Sequence, residues 1–208
     1  MLSADLLFDL REFAHASLFA ADRPVWSALQ DLKNYMDGYV YARHLFSRLA
    51  DGVTAQEHLV LHAGSLIEAN QCHIDYGDTL KGGLVITRAG EVLQGASLIM
   101  AGSVLLGDRI TIGQGVLVEG GATIKSPAVI GDLTEVRQGA YLRGYCLIGK
   151  RCVVGHTTEV KHSVFLDDAK AGHFAYLGDS IIGNNANLGA GTKCANLRFI
   201  PGNVQVSY

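Results

Sequence analysis

The chain has 208 residues, 49% of them hydrophobic, with 25 glycines, 3 prolines and 8% aromatic residues. That length supports one sizeable core or two small ones, and a net charge of −3 without a long basic run argues against nucleic acid as a partner. No basic leader opens the chain and charges interrupt every apolar run short of a membrane span, so a cytoplasmic setting is expected.

In chain order, the first fifty residues have helical character. Leu6, Leu10, Phe13 and Ser17 fall on one helical face, with Ser3 or Asp5 near its start. A second helix is predicted with Asp22 as N-cap, Pro24 in the first turn, Val25, Leu29, Leu32 and Met36 as its stripe, and Gly38 as its stop. Trp26 and Tyr35 are expected to pack this helix onto its neighbour or onto the β-helix end. Residues 51–98 have strand-like stretches and turn signals but poor register, and are read as an irregular first coil or small β cap.

From residue 100 the pattern changes. Met100, Leu106, Ile112, Val118, Ile124, Ile130, Val136, Leu142, Ile148, Val154 and Val160 recur every six residues, several followed by glycine. Neither a helical period of 3.6 nor a strand period of 2 maintains that spacing. A hexapeptide period is the mark of a parallel β-helix, in which three short sides make a coil of eighteen residues. Past Val160 the register slips: the inward residues become Phe165, Ala171, Leu177, Ile182, Leu188 and Cys194, with two steps one residue short. The expected organisation is a helical segment over 1–50, the cap over 51–98 and the β-helix over 99–208, ending without a polar terminal coil.

Stacking the coils turns spacing into contact. Leu142, Val160 and Leu177 share a column, so Arg143 and Lys161 stack as two cations suited to an anion, beside a ladder of Tyr141, Glu159 and Tyr176. Taken alone, such a pair also fits an ordinary solvated face. Val136, Val154, Ala171 and Leu188 form the next column, which places His156 against His173. A single histidine is more often structural than catalytic. Two together near the slip form a candidate general base and its partner. The four cysteines (Cys72, Cys146, Cys152, Cys194) form no CxxC pair and are expected as free thiols.

The run Lys170-Ala-Gly-His-Phe-Ala-Tyr-Leu-Gly-Asp179, followed by Ile182-Gly-Asn-Asn-Ala-Asn-Leu-Gly-Ala-Gly-Thr192, resembles the acetyltransferase half of bacterial bifunctional N-acetylglucosamine-1-phosphate uridylyltransferase/glucosamine-1-phosphate acetyltransferases over about residues 130–197. The resemblance implies a mainly β chain, a left-handed parallel β-helix of hexapeptide repeats with a small N-terminal helical segment. It implies acetyl-CoA as acyl donor, an amino-sugar phosphate as acceptor and a homotrimer. It also implies His173 as base, Arg143, Lys161, Tyr176 and Asn187 as substrate contacts, and Ala190 and Asn196 as acetyl-CoA contacts. No metal is implied.

This sequence departs from the family at Leu197, where an aromatic is usual, and at Gly202, where a substrate lysine is usual. The uridylyltransferase half has no counterpart, since the N-terminal segment has no glycine-rich nucleotide loop. Two other readings are a non-catalytic β-helix module of a sugar-nucleotidyltransferase-related protein and a β-helical metalloenzyme. The retained histidine motif argues against the first, and the spacing of His156, His162 and His173 against the second.

Overall fold

A computed structural model describes residues 1–42, 49–77, 83–195 and 202. It is a mainly β parallel solenoid of about five turns with one α-helix near the N-terminus. The first face carries strands Ser97–Ile99, Leu117–Val118, Glu135–Val136, Val153–His156, Lys170–His173 and Asn187–Leu188. The second carries Val104–Leu106, Thr123–Lys125, Tyr141–Leu142, Glu159–Lys161, Tyr176–Gly178 and Lys193–Cys194. The third carries Ile110–Ile112, Ala128–Ile130, Cys146–Ile148, Ser163–Phe165 and Ile181–Ile182.

The predicted columns form. Leu142 lies beside Val160 and Val160 beside Leu177, while Val154, Ala171 and Leu188 stack on the first face. Coils that contain one short step have 17 residues rather than 18, as in the pairs Ile148↔Phe165 and Leu177↔Cys194. At the top the register differs from expectation. Ile99 and Leu105 point inward, opposite Val118 and Ile124, and Met100 and Leu106 do not. These two pairs are 19 residues apart, because the turn after Leu106 takes an extra residue.

The upper end of the solenoid is covered. Leu59–His62 pairs antiparallel with Ser97–Ile99, and Ser65–Glu68 pairs with Leu59–His62. The Gly52 and Ala55 amides donate to the Leu105 and Ser103 carbonyls, so the second face is also paired at its edge. An open strand edge would invite pairing with another chain. A three-stranded antiparallel sheet of His73–Asp75, Val85–Arg88 and Glu91–Val92 supplies Ile86, which packs with Val60, Leu98 and Leu117 outside the first face.

The N-terminal segment covers the third face, where Phe13, Leu18, Phe19, Leu32 and Met36 pack on Val129, Leu147, Val164 and Leu166. The α-helix is Ser27–Asp37, capped at Gly38, whose amide donates to Asn34 O (3.1 Å). It begins after Trp26 rather than at Asp22, because residues 24–29 first make tighter three-residue turns. Tyr35 packs as expected, its hydroxyl 2.9 Å from His15 Nδ1, whereas Trp26 is 38% exposed. The first predicted helix does not form. In its place are single turns at Ala4–Leu6 and Ala16–Leu18, with Leu6 67% exposed and Ser17 exposed. Docking of Phe13, Leu18 and Phe19 on the solenoid overrides the 3.6-residue pattern, as tertiary packing often overrides propensity. Phe8 seats over Gly183, and the Asp9 amide donates to Asn184 Oδ1 (3.0 Å).

Most corners are turned by a residue with positive φ. Many are glycine, but Tyr145, Arg151, Thr157, His162, Asp168, Phe174, Asp179 and Asn185 adopt the same conformation. For a residue with a Cβ this costs ~1–2 kcal/mol, and the lower coils accept it repeatedly.

Cys146 and Cys152 face the interior, and burial pushes each thiol up to about 12 from an ordinary value of 9.0. Below pH 9 both folded and unfolded chains keep these protons, so the thiols leave stability unchanged. Between about 9 and 12 the unfolded chain ionises first, and stability falls as pH rises. Denaturant unfolding at pH 8, 10 and 11 should show this loss, with a shallower decline after Cys146→Ala and Cys152→Ala. An equal decline in the variant would assign it to other groups.

Candidate active site

Two features of the lower coils lie on adjoining faces, one just before a corner and the other at the far end of the strands after it. On the first face, His156 lies opposite His173 in parallel register, between Val154↔Ala171 and the corner residues Thr157 and Phe174. The Phe174 amide donates to His156 O (3.0 Å), and the Phe174 ring meets the His156 imidazole edge-on at 5.6 Å. Phe174 is nevertheless 58% exposed. A large apolar side chain in a costly backbone conformation, facing outward, points to a role other than folding.

His173 is exposed, and among the described residues none hydrogen-bonds its imidazole. Its carbonyl accepts from the Gly191 amide (3.1 Å), which keeps Ala190, also exposed, beside it on the next coil. Gly155, Gly172 and Gly189 precede His156, His173 and Ala190 and form a shelf without side chains. A Cβ on Gly155 would collide with the Gly172 backbone, whereas one on Gly172 or Gly189 would meet nothing within 4 Å. The surface before His173 is therefore open, although its underlying coils are tightly stacked.

On the second face, Arg143 and Lys161 are neighbours, as the stacking predicts. Each also has a carboxylate of its own. Arg143 Nη1 donates to Glu159 Oε1 (2.7 Å), which raises the guanidinium pKa further, and Lys161 Nζ lies 3.5 Å from Asp179 Oδ2. The other Asp179 oxygen accepts from His162 Nδ1 at 2.5 Å. The buried His162 Nε2 has no hydrogen-bond partner among the described residues. Tyr176 pairs with Glu159 and lays its ring over Gly178. Asn187 is exposed on the first face beside Lys170.

The structure thus groups His156 with His173, and Arg143 with Lys161 and Tyr176. Asn187 is on the first face, at the far end of the strand before Ala190. Asn196 lies outside the described residues, as do Leu197 and the chain after Gly202. The ion pairs to Glu159 and Asp179 escaped the sequence reading, which stacked residues straight above one another. Arg143 reaches diagonally, and the 17-residue coil places Gly178 rather than Asp179 opposite Lys161. Among the described residues, no three His, Cys, Asp or Glu side chains converge as a metal site would require. Among the described residues no helix is long and apolar enough to cross a membrane.

A family model described as the GMPPB C-terminal domain matches residues 124–208. The bifunctional protein GlmU of Wigglesworthia glossinidia brevipalpis is 32% identical over 148 residues, 66% of this chain and 30% of that protein. Over that stretch the chain is similar to this bifunctional protein. A bifunctional sugar-1-phosphate nucleotidylyltransferase/acetyltransferase of Sulfurisphaera tokodaii is 47% identical over 45 residues, 22% of this chain and 11% of that protein. The bifunctional protein GlmU of Methanococcus aeolicus is 51% identical over 37 residues, 18% of this chain and 9% of that protein. The chain therefore spans at most 30% of the length of these relatives. Its likeness to their acetyltransferase part follows the β-helix, as the motif at residues 170–192 implied.

Proposed function

We propose that this protein is a CoA-dependent N-acetyltransferase of the hexapeptide-repeat class, acting on an amino-sugar phosphate similar to glucosamine 1-phosphate. The observation that carries this reading is the exposed His173, seated against His156 on an open glycine shelf and one corner and one short strand away from the Arg143–Lys161 pair. The Sulfurisphaera tokodaii relative is named as an acetyltransferase as well as a nucleotidylyltransferase, which supports the same class.

In this reading Arg143 and Lys161 hold the phosphate, a forked donor beside a point charge. Tyr176 and Asn187 orient the sugar, and Ala190 and Asn196 contact acetyl-CoA. The amine attacks the thioester carbonyl as the His173 imidazole takes its proton. The tetrahedral intermediate then collapses, the C–S bond breaks, and the imidazolium returns the proton to the departing thiolate. The Gly191 amide is already bonded to His173 O, so in this reading the oxyanion is met by another backbone amide near Ala190. The protein acts as a homotrimer in the cytoplasm, with sites where flat solenoid faces meet.

The test is thiol release from acetyl-CoA by the full chain across a panel of amino-sugar phosphates, with subunit mass measured in the same buffer. Turnover with a phosphorylated amino sugar, and none with its unphosphorylated form, is the expected result. A trimer that turns over no acceptor would favour the non-catalytic module instead.

A further inference from the structure

The cationic column on the second face is longer than the pair that stacking first identified. Ile124 pairs with Leu142, and Leu142 with Val160, so the residues that follow them, Lys125, Arg143 and Lys161, occupy three successive coils. Strands in a sheet are ~4.8 Å apart, so the outer two backbones lie roughly 10 Å from one another. Stacked like charges repel, and the two lower cations are each offset from the coil below. Arg143 reaches Glu159, and Lys161 reaches Asp179, which also binds His162.

Lys125 lacks that compensation. The residue that corresponds to Glu159 one coil higher is Tyr141, a partly exposed phenol with no charge to offer. Lys125 is exposed and forms no ion pair with a described residue. The column therefore carries three cations against two carboxylates, one of which is shared with an imidazole. The uncompensated charge lies at the end farthest from His173.

A single phosphoryl group bridges two neighbouring coils, which Arg143 and Lys161 already provide. A third cation one coil further matches an anion that extends along the solenoid axis. We propose that the acceptor carries a diphosphate, an amino sugar in diphosphate ester linkage of the nucleoside diphosphate type, with Lys125 gripping the second phosphoryl group. This deepens the acetyltransferase reading and rests on it for the position of the amine. Lys125 is then a specificity-determining residue: it selects between acceptors and takes no part in proton transfer.

The experiment compares kcat/KM for one amino sugar presented as its 1-phosphate and as its nucleoside diphosphate ester, using the full chain and acetyl-CoA. The diphosphate ester should be preferred, and Lys125→Gln should shrink that preference about tenfold, the scale of one charge-assisted contact. Arg143→Gln should lower kcat/KM for both acceptors alike. Equal use of the two acceptors, or an unchanged preference in Lys125→Gln, would overturn the proposal. Calorimetric binding of inorganic pyrophosphate and phosphate separates this proposal from the catalytic reading. Tighter binding of pyrophosphate, reduced by Lys125→Gln, supports the extended column even if no acceptor turns over. Equal binding of the two anions in both proteins counts against it even if acetyl transfer is found.

Discussion

Gly155→Ala is expected to be among the most destabilising single substitutions in the solenoid, and Gly172→Ala to be nearly silent for stability. The two glycines face each other on adjacent coils between the Val154↔Ala171 and His156↔His173 pairs. A Cβ on Gly155 would enter the carbonyl and Cα of Gly172, which are backbone atoms and cannot rotate away. Ordinary overpacking costs ~1–3 kcal/mol because side chains shift to make room. Here the coils must part, which breaks ladder hydrogen bonds, so a loss above ~3 kcal/mol is expected. On Gly172 the same methyl group meets nothing within 4 Å. Denaturant midpoints of the two variants, measured side by side, decide the matter. Similar midpoints would show that these coils are not stacked as closely as described.

His173→Ala is expected to reduce acetyl transfer by ~10²–10⁴-fold in kcat, the range for loss of a general base, with little change in KM for the acceptor. Its exposed imidazole carries no packing burden, so the unfolding midpoint should stay near that of the parent chain. His156→Ala should show a different pattern. It removes the neighbour of His173 and the partner of the Phe174 ring, so catalysis should decline less and its pH profile should move. A chain that retains full kcat without His173 would rule out the proposed base. A His173→Ala chain that unfolds early would show that the imidazole belongs to the core.

The lower coils could be read from the sequence because the six-residue step is unbroken from Ile112 to Val160 and Val136, Val160, Ala171 and Leu188 stand between polar or glycine neighbours. In that setting, spacing fixes contact without knowledge of side-chain geometry. At the top it fails for a definite reason. Ile99-Met100 and Leu105-Leu106 are each two apolar residues in succession, and hydrophobicity cannot tell which faces inward. The turn after Leu106 then absorbs the extra residue that resets the register. The N-terminal segment misled in the opposite way, since Leu6 and Ser17 fit a helical stripe but face solvent. Its conformation is set by the surface on which it docks, and that surface is assembled from residues more than a hundred positions away.

For the candidate site, stacking found His156 beside His173 and Arg143 beside Lys161. It did not find the carboxylates that accompany the cations, because side-chain reach runs diagonally across the ladder. Lys125 was within the same arithmetic, eighteen residues before Arg143.

The docked N-terminal segment changes how the whole solenoid should come apart. In a bare stack each turn touches only its neighbours, so the end turns can melt singly while the rest persists. Here residues 4–36 lie across Val129, Leu147, Val164 and Leu166, and the Asp9 amide is tied to Asn184 near the opposite end of the chain. Fraying of the last described turns therefore has to pull against a strap anchored on several earlier ones. Hydrogen exchange on the third face should then be released as one cooperative block rather than turn by turn. Unstrapping would come first, and the coils beneath it would follow together.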